Sequence, residues 1–209
     1  MSDSAITVQK LAVHATIREG ISIGTRNIGP ILINVLLWIV TIWIPYLNVG
    51  TTIGLIAGIV SKASRDEAIP ITEIFDPKYR KYMGEFFLTS GLIGMGVSVG
   101  LVFGVIPGIV ICMAWSMAIL LVVDKGKNPT EAITLSNNCT YGYKGKMLGI
   151  YALVGLLFTA VQLILFGIGA ASNSDGVIIF TSFVVILTIV FEVFVFIGLQ
   201  ASIYKQLTE

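Results

Sequence analysis

Val177-Ile-Ile-Phe-Thr-Ser-Phe-Val-Val-Ile-Leu-Thr-Ile-Val-Phe-Glu192-Val-Phe-Val-Phe-Ile-Gly-Leu-Gln200 is the stretch of sequence that decides the fold. Glu192 is its one ionisable side chain, and nearly all the other residues are apolar. An α-helix rises ~1.5 Å per residue, so ~20 apolar residues cross the ~30 Å hydrocarbon core of a bilayer. The stretch therefore predicts a transmembrane helix.

Five further apolar runs lie upstream, at 28–44, 47–63, 84–106, 107–123 and 147–170. Turn signals at Pro45 and at Pro107-Gly108 separate neighbouring runs. Only 12% of the 209 residues are charged, whereas a soluble domain carries about 25%. These observations predict an all-α, polytopic integral membrane protein. Its single membrane domain, residues 1–209, would have six transmembrane helices in three hairpins, with cytoplasmic amphipathic helices between them.

The placement of the 13 basic residues supports this number of helices. With six spans and a cytoplasmic N-terminus, all 13 lie on the cytoplasmic side, as the positive-inside rule expects. Merging the first two spans would move Lys10, Arg18 and Arg26 to the outside. We therefore predict a multipass protein of the bacterial inner membrane with both termini in the cytoplasm. The net charge of +1 does not indicate a nucleic-acid partner.

An internal repeat has a period of 64 residues. Ser64-Arg-Asp-Glu67 aligns with Asn128-Pro-Thr-Glu131, and Thr16-Ile-Arg-Glu19 is a weaker copy. Each has a helix N-cap residue followed three positions later by glutamate, which is the capping box that begins many helices. Parallel repeats, each a cytoplasmic helix followed by a hairpin, would then occupy residues 10–60, 61–123 and 124–209. Chance matches between common capping boxes are the alternative.

The two cytoplasmic connectors carry apolar stripes with helical spacing; the first connector lies between the predicted spans 47–63 and 84–106, and the second between 107–123 and 147–170. We expect amphipathic helices along the inner membrane interface, with stripes formed by Ala132, Leu135, Cys139 and Tyr143, and by Ile71, Ile74, Phe75, Tyr79 and Tyr82. Pro77 must interrupt the earlier stripe. The N-terminal stretch is ambiguous, because Leu11, Val13, Ala15 and Ile17 alternate as in a strand.

Glycines recur every four residues in the second and third predicted spans, as Gly50, Gly54 and Gly58 and as Gly96, Gly100 and Gly104. Small residues at this spacing leave a groove into which another helix packs closely. The partner helix belongs either to the same chain or to a second copy in a homo-oligomer. A flexible pore wall is a third interpretation.

Glu192 marks a candidate polar site inside the membrane, because an ionisable group there is costly. Asn34, on the first span, reaches a similar depth from the inner side and is the predicted partner, whereas Gln162 would lie in the outer half. Thr188 shares a helix face with Glu192. The site is interpreted as a protonated or hydrogen-bonded carboxyl within the bundle, as a carboxyl that reaches toward the inner interface, or as part of a proton or cation pathway.

The rest of the sequence contains no motif typical of a catalytic or metal site. Cys112 and Cys139 are not spaced as metal ligands, and we expect no disulfide, metal or other cofactor. His14 is the one histidine, and the sequence has neither paired catalytic carboxylates nor a GxSxG motif. We therefore expect no enzymatic activity. Asp124 follows the fourth span, and we expect it to pair with a neighbouring lysine.

Several short motifs resemble those of a known bacterial family. They are Pro45-Tyr-Leu-Asn-Val-Gly50, Ile71-Thr-Glu-Ile-Phe75, Pro107-Gly108, Trp115-Ser-Met-Ala118, Val123-Asp124, Glu131-Ala132, Ser136 and Gly145-Lys146. Across residues 45–150 the chain is similar to multipass proteins of unknown function that resemble the membrane domain of some glycerophosphodiester phosphodiesterases. The resemblance implies an inner-membrane protein with about six helices and brings no catalytic residues. The charged first connector and Pro77 depart from that pattern.

The leading functional expectation is a non-enzymatic membrane component. It would be a subunit of a membrane assembly or a factor in envelope and lipid organisation, acting through cytoplasmic helices and glycine-rich faces. Its partners would be membrane lipid and either further copies of the chain or other membrane-protein subunits. The alternative is a small transporter or channel that uses the polar site near Glu192 and Asn34.

Overall fold

A computed structural model describes residues 11–208, which form helices and connecting turns with no strand among them. The all-α prediction is confirmed. The α-helices are α1 (Val13–Arg26), α2 (Ile28–Thr41), α3 (Pro45–Ile53), α4 (Ile59–Ser64), α5 (Met83–Phe103), α6 (Val105–Trp115), α7 (Ala118–Lys125), α8 (Pro129–Cys139), α9 (Lys144–Ala171) and α10 (Asp175–Thr208). A π-helical segment, Gly54–Gly58, joins α3 to α4. Two 3₁₀ segments, Glu73–Phe75 and Pro77–Tyr82, precede α5.

Four helical stretches are long and apolar enough to cross a membrane: Pro77–Phe103, Val105–Lys125, Lys144–Ala171 and Asp175–Thr208. They coincide with the last four predicted spans. A fifth candidate is the pair α1 and α2, which is bent by 71°. The chain is therefore an α-helical membrane protein with four or five candidate spans.

The first predicted hairpin differs from the others. α2 has 14 residues, which gives a length of ~21 Å at 1.5 Å per residue, short of the hydrocarbon thickness. After the turn at residues 42–44, the chain returns through α3, the π segment and α4. Neither arm of this hairpin meets the length and hydropathy requirements for a span by itself.

The packed core lies at the end of the bundle where the described basic residues gather. In α9 the buried side chains are Met147, Ile150 and Val154, close to its lysine-rich start. In α10 almost all the buried residues follow Phe194. Farther from this basic end, apolar side chains such as Leu163 and Phe180 are each 65% exposed. Lipid must cover that half of the bundle, because water would make such exposure unfavourable.

The N-terminal stretch is helical from Val13 and packs antiparallel against the last part of α10. Gly20 and Gly24 face α10, and a Cβ atom on Gly20 would lie 2.8 Å from the Cα of Leu199. Gly198 faces α1 in return. This backbone contact resolves the ambiguity between strand and helix. Thr16 lies inside α1 and is not its N-cap, so the capping box predicted there is wrong.

The glycine faces predicted for helix packing lie against parts of the same chain. Tyr79 covers Gly54 and Gly58, the ring of Trp115 lies on Gly96, and Gly100 crosses Gly108 closely in the α5–α6 hairpin. Gly50 is beside the stem of Arg80. Gly104 makes the turn between α5 and α6 with a φ of 140°, a conformation that favours glycine. Intramolecular packing is thus the observed use of these glycines.

Only the second connector contains the predicted helix. Asn128 is the N-cap of α8 and its side chain accepts a hydrogen bond from the Glu131 amide at 2.9 Å, as the capping box predicts. Ser64 instead ends α4, so the helix predicted to start there is wrong. Pro70 and Pro77 lack amide donors and limit the first connector to short 3₁₀ turns.

Candidate functional site

The span Val105–Lys125 has a local break in its helical hydrogen bonding at Ser116 and Met117, between α6 and α7, although both residues keep right-handed helical backbone angles. A break frees backbone groups that lipid cannot satisfy, so other side chains must supply hydrogen bonds. The Ser136 hydroxyl donates to the Ala114 carbonyl at 2.7 Å and accepts from the Met117 amide at 3.2 Å. Thr140 donates to the same carbonyl at 3.3 Å. α8 therefore packs against the break through Ser136, and not only through an apolar stripe.

Gln200 of α10 approaches the break from the other side. Its Nε2 atom donates to the Ser116 carbonyl at 3.3 Å, and its Oε1 accepts a hydrogen bond from the hydroxyl of Tyr151 in α9. The broken helix is thus connected to both helices of the last hairpin. Every donor in this group is used to hold the helices together.

A cavity of about 600 Å³ lies beside the break, between α10 and parts of α4, α7 and α9. Its wall is mainly aliphatic, with four polar side chains: Ser116, Tyr151, Glu192 and Gln200. Ile189 and Val193 line the cavity and are 47% and 39% exposed, so it opens at the lipid-facing surface. A volume of ~300–1,000 Å³ with few polar groups in an apolar wall is typical of small-molecule sites.

Glu192 lines this cavity, and its side chain has a partner other than the predicted one. Gln162 Nε2 of α9 donates to Glu192 Oε2 at 2.9 Å. The pairing of Glu192 with Asn34 is therefore wrong. Depth estimated from residue spacing missed the partner, because α9 and α10 pack directly as a hairpin.

Asn34 instead connects α2 to the first connector. Its amide nitrogen donates to the carbonyls of Pro30 and Pro70, each at 2.8 Å, and its oxygen accepts from the Ile74 amide at 3.1 Å. Two of these three hydrogen bonds, those with Pro70 and Ile74, hold the first connector against α2. Thr188 donates to the Val185 carbonyl within α10 and does not line the cavity.

Asp124 joins three elements at the basic end. It accepts hydrogen bonds from Ser61, Arg65 and Tyr204, and the Tyr204 distance is 2.7 Å. The prediction that it pairs with a neighbouring lysine is wrong, because Lys125 turns away to the Thr208 carbonyl. Burial lowers the pKa of Arg65, but its hydrogen bonds to Asp124 and Glu67 outweigh this effect and raise the pKa above its ordinary value.

Glu73 is the centre of a second charged cluster, and only 3% of it is exposed. Lys62 lies 2.7 Å and Lys78 3.2 Å from its carboxylate oxygens, and Tyr79 also donates to it. Burial raises the pKa of Glu73, but these hydrogen bonds prevail and the pKa lies below its ordinary value. The cluster fixes the first connector beside Gly54 and Gly58.

No protein-family model, curated protein or solved structure matches the chain. Within residues 11–208, no group of three or more histidine, cysteine, aspartate or glutamate side chains is arranged to hold a metal ion. Sequence reasoning identified Glu192, placed Gln162 too far from it to be its partner, and did not single out Gln200 or Tyr151. Their signal was present, since each is a polar residue in or beside an apolar helix.

Proposed function

We propose that this protein is a non-enzymatic integral membrane protein that binds an amphiphilic molecule of the membrane in the cavity beside Glu192. The single observation that carries this proposal is an apolar cavity, open toward lipid, with a carboxylate in its wall. An alkyl chain fits the aliphatic wall, and a polar head group meets Glu192. This is a specific form of the lipid-organisation role expected from the sequence.

The hydrogen bonds around the cavity favour binding over catalysis. Ser116 donates to Met113, Tyr151 to Gln200, and Gln200 to the broken helix. These side chains stabilise the shape of the cavity. Neither lining hydroxyl, that of Ser116 or that of Tyr151, hydrogen-bonds to Glu192, whereas covalent catalysis requires a nucleophile paired with its base.

The membrane arrangement that we propose has both termini on the cytoplasmic side of a bacterial inner membrane. The sequence predicts six crossings in three hairpins, but the contacts favour four, with the α2–α4 hairpin held at the basic side. Tyr79 contacts Gly54 and Gly58, and Ser61 contacts Asp124, so the returning arm of this hairpin packs against residues of the charged end. The basic residues lie on the cytoplasmic side of the membrane with four crossings as well as with six.

Two further expectations stay proposals. Similarity to the membrane domain of glycerophosphodiester phosphodiesterases agrees with a role among lipids. Transport is the second candidate function, favoured by the ionisable side chain of Glu192 in a cavity beside the membrane-spanning helices. Solute flux into proteoliposomes that is the same for wild type and Glu192→Gln would remove this candidate.

Binding is tested by blocking the cavity. The variants Val193→Trp and Ile119→Trp place an indole in its wall from two different helices. Ile179→Trp is the matched control, because Ile179 also lies on α10 and is 69% exposed outside the cavity. We expect native mass spectrometry to find a retained amphiphile on wild type and Ile179→Trp, and much less on both blocking variants. Equal retention by all four proteins would contradict the proposal.

A further inference from the structure

We infer that the cavity selects an amphiphile with a positively charged, hydrogen-bond-donating head group, such as a primary alkylammonium. This inference rests on the proposed function, because it names the class of ligand that the same cavity takes. It follows from the hydrogen-bond donors and acceptors of the lining side chains that are not already in use.

The donors in the cavity wall are already used. Ser116 donates to the Met113 carbonyl at 2.9 Å, and the hydroxyl of Tyr151 donates to Gln200. The Gln200 amide donates to the Ser116 carbonyl and lies 3.7 Å from Met117 Sδ. A head group that only accepts hydrogen bonds, such as a phosphate or a carboxylate, would find no free donor among these residues.

The acceptor at Glu192 is only half used. Oε2 accepts from Gln162, while none of the described residues donates a hydrogen bond to Oε1. A carboxylate has room for about four hydrogen bonds. Glu192, which lines the cavity, therefore has spare acceptor capacity at Oε1, and it is the only carboxylate among the lining side chains.

Charge favours the same ligand. No lysine, arginine or histidine is among the lining residues, and Glu192 forms no ion pair in the part of the chain that the structure describes. An ionised carboxylate without a partner is costly in an apolar environment, and a cation beside it makes the ionised form favourable. An ammonium group supplies the charge and up to three donors at once.

Head-group selectivity is measured with four probes that share a twelve-carbon chain: dodecylamine, dodecanol, dodecanoate and dodecyl phosphate. Native mass spectrometry of the purified protein gives the occupancy of each probe over a concentration series. We expect dodecylamine to bind about tenfold or more tightly than dodecanol, as a charge-assisted hydrogen bond implies. Both anionic probes should bind more weakly than dodecanol.

Three variants test whether Glu192 causes the preference for the amine head group. Glu192→Gln keeps the side-chain size and the bond from Gln162, and it should reduce the preference for the amine to about twofold or less. Asp175→Asn removes a carboxylate from the other end of α10 and should retain the full preference. Gln162→Leu removes the amide donor that competes with the ligand for the carboxylate and should raise the preference for the amine, which gives an independent readout if Glu192→Gln folds poorly.

The outcomes separate this inference from the proposed function. An undiminished amine preference in Glu192→Gln, or tighter binding of dodecyl phosphate than of dodecylamine, would overturn the inference. If dodecanol and dodecylamine then still bound wild type and were excluded by Val193→Trp, amphiphile binding itself would survive. Failure of Val193→Trp to exclude any probe would overturn both.

Discussion

Gly198 of α10 faces Gly20 of α1 so closely that a Cβ atom on Gly198 would overlap the Gly20 carbonyl oxygen. The backbones of the two helices are in contact here, as expected where small residues line a helix crossing. Around this crossing, Glu19 accepts hydrogen bonds from Ser202 and Lys205, at 2.8 and 3.2 Å. α1 is thereby fixed along the part of α10 that follows the cavity.

Gly198→Ala is expected to destabilise the protein, because neither helix can move away without breaking the Glu19 contacts. Overpacking of this kind costs about 1–3 kcal/mol. The control is Gly167→Ala on α9, where a Cβ atom meets nothing within 4 Å. Unfolding titrations with sodium dodecyl sulfate measure both, and equal stability of the two variants would show that the α1–α10 contact is not tight.

Ser136→Ala tests the support of the broken helix. The change removes the acceptor for the Met117 amide and the nearer donor to the Ala114 carbonyl. A buried polar group left without a partner costs about 1–3 kcal/mol, and we expect a loss of stability in that range. Thr134→Ala, at an exposed hydroxyl of the same helix, is the control and should change stability by less than about 0.5 kcal/mol. A similar loss in both variants would argue against a special role for Ser136.

The Glu73 cluster predicts an acid-sensitive stability. Because the pKa of Glu73 is lowered from 4.5 in the folded protein, its contribution is fully present above pH 4.5 and is lost as the pH falls through the lowered value. Glu73→Gln should cost about 1–3 kcal/mol at pH 7, since Lys62 and Lys78 lose their shared partner. It should also flatten the decline of stability below pH 4.5.

Glu67→Gln is the control for this cluster. Glu67 pairs with Arg65 at an exposed site, so its removal should cost less than about 1 kcal/mol. Unfolding titrations between pH 3.5 and 7 compare the two variants. An unchanged pH dependence in Glu73→Gln would mean that other carboxylates cause the acid sensitivity.

The number of membrane crossings is tested by labelling of single cysteines with an impermeant thiol reagent. In a chain without Cys112 and Cys139, cysteine replaces Trp43, at the exposed turn after α2, or Ser174 or Lys127. Four crossings predict that reagent on the side that labels Ser174→Cys leaves Trp43→Cys unmodified. Labelling of both from that side would establish six crossings.

The sequence predicted the last four spans well because their apolar runs are long and are divided by clear turn residues such as Pro107. It was less informative about the α2–α4 hairpin, since positive charges fall on one side whether a hairpin crosses or returns. Asn34 gave no sign that it holds a connector from 36 residues away, at Pro70. Such long-range hydrogen bonds depend on tertiary packing, which neither periodicity nor depth along a helix reveals.

Part of the candidate site could be predicted from the sequence. Glu192 was found by the rule that a charge inside a span is functional, and Gly20 and Gly24 have the same spacing as the glycines that were identified. The position of Ser136 was not predictable, because a hydroxyl on a polar helix is unremarkable until it meets a broken backbone. The cavity itself is a property of how α4, α7, α9 and α10 meet.

Photolabelling tests amphiphile binding most directly. Dodecyl probes with a diazirine in the middle of the chain, and with either an amine or an alcohol head group, are activated in the presence of the protein in lipid nanodiscs. We expect saturable crosslinks at Ile119, Ile189, Val193 and Ile197, which line the cavity, and their loss in Val193→Trp. Unsaturable crosslinks spread along lipid-facing positions of α10 such as Ile179, Phe183 and Leu187, unchanged in Val193→Trp, would contradict the account.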